Sequence, residues 1–392
     1  MSRKNLTAVY VAVVAGFIAC HGAVAAQEAS PNDTARFLAG LQPSAGSPLA
    51  AHTKNPGWQR YAKWFDDNWA NLEKRQLSKV RAWSEKHLKD RQNTLYYMFS
   101  GPDFLYASAF YPQANTYLMS GLEPVGAVPN VTARTIGSLP RIQQSISTSL
   151  SLSFFITKNM QSQLQGGDLS GTLPILYAYI ARSGKTVHET SLINLDREGV
   201  VHPSGKPDAR AIPGVKIIVS SGDGPKQTLY YFRTDVSDTG VKASNFLEFA
   251  GTLGAGNGLL KSASYLMHSG NFSRVREFVL QNSQQVVQDD SGIPLHAFKP
   301  DLWDFRPFGA YLGPIAVFPG RSQPRLGELF KKAKAPPLDF GIGYRHRGHD
   351  SNLLLAIRKP RPKPPEQASK LGQEPVMEAV AAPPLRPTTA EE

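Results

Sequence analysis

Cysteine is nearly absent: the 392 residues hold only Cys20. It lies in an N-terminal segment that reads as a leader. "MSRKN" is a short basic start, and "LTAVYVAVVAGFIA" is an apolar run of 14 residues. That run suits a signal h-region and is short for a membrane span. "AVAAQ" then supplies small residues for cleavage after Ala25 or Ala26. A chain cut there has no cysteine, which excludes disulfides, thiol catalysis and thiolate-bound metals. The expected location is the periplasm or the exterior. The alternative is lipid anchoring: "FIAC" loosely resembles a bacterial lipobox, and an acylated Cys20 would tether the chain without spanning the bilayer. No transmembrane span is expected in the mature chain.

Acids are also scarce, 31 against 43 Lys and Arg, for a formal charge of +12. The bases are scattered, with their densest runs, "FKKAKAPP" and "IRKPRPKPP", near the C-terminus. Scattered charge in an exported protein argues for solubility and against nucleic acid as a partner. GxSxG, Walker and HExxH motifs are missing too, so no familiar nucleophile, phosphate loop or zinc helix is present.

What remains is ordinary globular sequence, 41% apolar and 19% charged. Residues 27–56 read as a linker or docking segment in which "TARFLAGL" makes a short helix. Residues 57–88 lack internal Pro and Gly, and Trp58, Tyr61, Trp64, Phe65, Trp69, Leu72, Leu77, Val80 and Trp83 recur at three- and four-residue steps. This is a long amphipathic helix, broken at most once, whose tryptophans face a core. "TLYYMFSGPDFLYASAFYPQANTYLMSGLEP" reads as strand 95–99, helix 103–110 and strand 116–120, a βαβ unit. Residues 135–165 look helical. "TLPILYAYIARSGKTVHETSLINL" suggests two strands about Ser183-Gly184, and residues 214–238 two more about Gly222-Asp223-Gly224. A second βαβ unit follows as strand 262–268, helix 272–282 and strand 284–288. "LDFGIGYRHR" and "SNLLLAIRK" close the fold as a hairpin. Residues 359–392 contain eight prolines and little apolar pattern, the signature of a disordered tail.

The expected fold is α/β: a mixed sheet with parallel βαβ (Rossmann-like) elements, an antiparallel insertion and a long N-terminal amphipathic helix, in a single domain over 57–358. Open α/β sheets bind ligands beyond the carboxyl ends of their parallel strands. Four expected strands end there in "SGPD", "SGLEP", "MHSG" and "QDDSG". The candidate ligand-binding residues are Ser100, Gly101, Asp103, Glu123 and Ser291; the candidate catalytic residues are Asp289, Asp290 and His268. Crowded carboxylates repel and raise one another's pKa, which suits general acid–base work beside an imidazole. Asp103 and Asp290 could equally cap the turns that follow them. No metal site is assigned, and His346, His349 and Asp350 in "YRHRGHD" read as turn residues.

A methyltransferase-like arrangement is matched in outline. A strand, a glycine turn, a helix and an acid at the next strand end run from Gly101 to Glu123, and the terminal hairpin fits. "SGPDF" lacks the repeated glycines that let a backbone approach a nucleoside cofactor, so the cofactor is left unassigned. "SGPDFLYASAFYP", "TYLMSGLEPVG", "KSASYLMH", "VVQDDSGIP" and "LDFGIGYR" together resemble a family of exported bacterial proteins of uncharacterised activity, over most of residues 35–357. The resemblance implies one family domain and carries no functional residue. Two functions stay open: an envelope protein that binds a small molecule or envelope component, and a periplasmic hydrolase built on the carboxylates and His268.

Overall fold

The computed structural model describes residues 28–152, 154, 169–205 and 211–360. The leader, residues 361–392 of the proline-rich tail and, within 135–165, residues 153 and 155–165 therefore lie outside the described residues.

The sheet has ten strands. These are β1 (Thr94–Tyr97), β2 (Thr116–Gly121), β3 (Lys185–Leu195), β4 (Val201–Pro203), β5 (Ile212–Ser221), β6 (Gln227–Arg233), β7 (Gly256–Leu260), β8 (Ser283–Gln288), β9 (Trp303–Gly309) and β10 (Asn352–Arg358). Their order is β4-β3-β5-β6-β2-β1-β7-β8-β10-β9. The five central strands β6 to β8 are mutually parallel. β3, β4 and β5 add an antiparallel wing beyond β6, and β10 and β9 an antiparallel pair beyond β8.

Alternation along the strands builds two cores. Leu95, Tyr97, Tyr117, Met119, Leu259 and Val287 face one layer of helices. That layer comprises α1 (Pro31–Leu38), α2 (Pro56–Leu72), α3 (Ser78–His87), α4 (Phe104–Phe110), α5 (Leu139–Leu152) and α6 (Leu173–Arg182). Tyr96, Met98, Leu118, Leu260 and Val286 face the other layer: α7 (Asp238–Ser244), α8 (Phe246–Thr252) and α9 (Ser273–Asn282). A two-residue side-chain period dictates this division. α10 (Pro324–Lys332) packs against the β10 end through Leu326 and Phe330.

The chain leaves β1 for β2 on one side and returns from β6 to β7 on the other. Crossovers between parallel strands are right-handed, so reversing direction places α4 on one face and α7–α9 on the opposite face. The gap between β1 and β7 is thus the topological switch point.

The α2–α3 segment is broken once, by a π-helical turn at Glu73–Leu77. The extra residue in this turn brings Gln76 inward, where it is fully buried. Its Nε2 donates to the His346 carbonyl at 3.0 Å, and its Oε1 accepts from the Tyr106 hydroxyl. The "TARFLAGL" helix forms as α1, with Ser30 Oγ accepting from the Asp33 N–H, and docks on α6.

Three expectations need correcting. "LPILYAYIAR" is helix α6, not a strand: Leu173 to Ala181 are all buried, and a helix buried all round loses the 3.6-residue pattern. The strand expected at 262–268 is a 3₁₀ segment, Ser262–His268. The true strand, β7, is "GNGLL". Glycine lowers strand propensity, but here a Cβ on Gly256 would lie 2.4 Å from the Tyr96 ring. The partner of β10 is β9 and not "LDFGIGYRHR", which makes only an Ile342–Arg345 bridge. Pro307 in β9 is tolerated because β9 is the edge strand.

Candidate functional site

Two groups of polar residues stand at the carboxyl ends of the parallel strands. One is sealed inside; the other lines a cleft.

The sealed group begins with Asp103, which follows β1. Its Oδ1 accepts from the Tyr106 N–H at 3.2 Å and so caps α4. Its Oδ2 accepts from the Tyr97 hydroxyl at 2.7 Å and pairs with Lys261 Nζ at 2.8 Å. Both side chains of the ion pair are 3% exposed. Lys261 also lies 4.5 Å from the Tyr106 ring centroid. An unpaired charge at this depth would cost several kcal/mol, so each partner requires the other. Lys261 follows β7 and was not a sequence candidate. The signal available was a lone lysine closing the apolar run "GLLK".

Asp289 and Asp290 follow β8, each 5% exposed. Asp289 accepts from the Ser291 N–H at 2.9 Å, from the Ser291 hydroxyl and from the Ser262 N–H at 3.3 Å. Ser291 Oγ lies 2.9 Å from Ser264 Oγ. Asp290 accepts from the Tyr265 hydroxyl and from Asn352 Nδ2 at 3.1 Å. Thus Asp289, and not Asp290, holds the turn after β8. Burial, and then the charge of Asp290, pushes the Asp289 carboxyl up to about 7. Burial also raises Asp290, against the pull of Tyr265 and Asn352.

His268 stands apart from these carboxylates. Its ring packs on Tyr265 at 5.3 Å, tilted by 54°, and Tyr265 turns its hydroxyl to Asp290. Burial lowers the imidazole pKa to about 4, so it is neutral near pH 7. Among the described residues, no group of three or more His, Cys, Asp and Glu side chains could hold a metal ion.

The cleft lies at the switch point. It encloses about 180 Å³ between the ends of β1, β2 and β6 and the segment after β7. Met98, Phe99, Leu122, Val236, Leu266 and Phe272 give it apolar walls; Ser120, Glu123, Thr234 and Asp235 add polar groups. Leu122 and Leu266 are 52% and 44% exposed at its lip. Gly101 and Gly121 bring two backbones together beneath Glu123. A Cβ on Gly121 would meet Glu123 Oε2 at 2.4 Å and Gly101 Cα at 2.9 Å. The Tyr231 hydroxyl donates to the Glu123 carbonyl at 2.9 Å and lies 3.5 Å from its Oε2, so the carboxylate, 3% exposed, sits in the floor of the cleft. Ser100 is buried below, its Oγ donating to the Ser120 carbonyl at 3.2 Å.

The structure therefore brings Gly101 and Glu123 into one cleft, with Ser100 under its floor. It brings Asp103, Asp289, Asp290 and Ser291 into the interior and places His268 in a different cavity. No protein-family model, curated protein or solved structure matches the chain.

Proposed function

We propose that the chain is an exported bacterial envelope protein that binds a small molecule at the carboxyl edge of its sheet. The observation that carries this reading is the cleft at the β1/β7 switch point. Open α/β sheets take their ligands there. The cleft combines apolar walls with a few convergent polar groups, as small-molecule sites do. At about 180 Å³ it has room for one ring system.

The position of Glu123 narrows the class. An acid at the end of the second strand, beyond a glycine turn on the first, is placed to accept from the hydroxyls of a ribose. The order β6-β2-β1-β7-β8-β10-β9, with β10 alone reversed, also supports the methyltransferase-like outline. A ligand bearing a ring and a vicinal diol, of nucleoside type, is therefore the first probe. The hydrolase reading would need Asp289 and Asp290 to reach a substrate, and neither lines the switch-point cleft or the cavity beside His268.

The test is calorimetric titration of the full chain with adenosine, its 2′,3′-dideoxy analogue and a panel of aromatic ring compounds. Saturable binding is expected. Ala263→Phe, at an exposed position on the cleft wall, should abolish it without lowering the melting temperature. Glu123→Gln should weaken a diol-bearing ligand about tenfold and leave the dideoxy analogue unchanged. Binding that survives Ala263→Phe, or no binding across the whole panel, would sink the reading.

A further inference from the structure

A second cavity, of about 430 Å³, opens beside the turn after β8. Its cationic and imidazole groups are Arg321, Arg325, His268 and His296, and no acid lines it. This is a local excess of donors, held in place by the fold. Gln323 closes the base: its Oε1 accepts from the Leu295 N–H at 2.9 Å and its Nε2 donates to the Asp290 carbonyl at 3.0 Å. Arg321 Nη1 donates to the His268 carbonyl at 3.2 Å, which fixes the guanidinium at the cavity wall. Arg325 is exposed and has no acidic partner among the described residues. Nε2 of His268 is buried and meets no hydrogen-bond partner there. Pro324 opens α10, so the helix N-terminus also faces this region with its positive dipole end.

From this cavity we infer a second ligand site, one that takes a phosphate group carried on a small molecule. Guanidinium forks suit the oxygens of a phosphate, and two of them line this cavity. The volume exceeds that of the bare anion, and Pro294, Leu295 and Pro324 give an apolar wall for the body that carries it. The site is separate from the switch-point cleft: its lining shares no residue with the lining there. It requires no ligand in that cleft.

The experiment is titration of the full chain at low ionic strength with inorganic phosphate and glycerol 3-phosphate, with chloride and succinate as controls. Both phosphates are expected to bind saturably, glycerol 3-phosphate the more tightly. Arg325→Gln, on the exposed side, should lower the affinity about tenfold at an unchanged melting temperature, and Arg321→Gln by at least as much. Ala263→Phe should leave phosphate binding intact, which separates this site from the cleft. The inference is overturned by an absence of saturable phosphate binding, by affinity unchanged in Arg325→Gln, or by tighter binding of succinate than of either phosphate. If Arg321→Gln unfolds the chain, Arg325→Gln and His296→Ala decide the matter alone.

Discussion

Lys261→Met is expected to cost about 3–5 kcal/mol of stability at pH 7, the usual loss when one partner of a buried ion pair is removed. The substitution keeps the length of the side chain, so little cavity is made. What it leaves is the Asp103 carboxylate inside the protein with Tyr97 and the Tyr106 N–H as its remaining donors. Adding Asp103→Asn should recover part of the loss, since the amide can still cap α4 and carries no charge. Urea unfolding of the single and double variants measures this directly. A loss below about 1 kcal/mol for Lys261→Met would place the pair among weakly coupled surface ion pairs and contradict its burial.

Asp289→Asn should change the pH dependence of stability. Burial and the neighbouring Asp290 raise the Asp289 carboxyl from the ordinary aspartate value of 3.8 to about 7. Between those limits the folded state holds a proton that the unfolded state has released. The contribution of this group is therefore fully present below pH 3.8 and is lost as pH rises toward 7. An amide does not titrate. The stability of the variant relative to the natural chain should thus increase across that window, by an amount on the order of 2–4 kcal/mol. His268 works in the opposite direction. Its folded-state pKa is lowered to about 4, so its own contribution grows as pH rises from there toward the ordinary histidine value of 6.5. It is present in both proteins and cancels in the difference. The amide also loses the acceptor for the Ser262 N–H, a pH-independent cost of about 1 kcal/mol. The slope of the difference against pH is thus the observable. A flat difference from pH 4 to 8 means that Asp289 does not titrate there.

The sheet was legible where local chemistry and tertiary packing agree. The first βαβ unit, the helix and closing strand of the second, and the β5–β6 turn carry their own punctuation in Gly, Pro and Asp. β7 was hidden because its first glycine, Gly256, answers to Tyr96, a residue about 160 positions away in the chain. α6 was hidden because burial on every side erases the amphipathic period. The recurrence of polar strand ends marked the edge of the sheet at which the cleft lies. It could not separate residues that line the cleft from residues sealed beneath it, since an aspartate at a strand end looks the same in either place. The Asp103–Lys261 pair joins two strands through contacts that no local pattern encodes. His268 moved out of the group for a simple reason: β7 ends eight residues before it.

The π-helical turn at Glu73–Leu77 has a consequence for how such a chain can vary in length. A π turn is an α-helix carrying one inserted residue. Deleting one residue from this stretch would restore regular winding. Gln76 would then rotate away from Tyr106, the ring on which Lys261 rests. The insertion and the buried ion pair are therefore linked through the Tyr106 side chain. A homologue with apolar side chains in place of Asp103 and Lys261 is therefore expected to align to this chain with a single gap between positions 73 and 77.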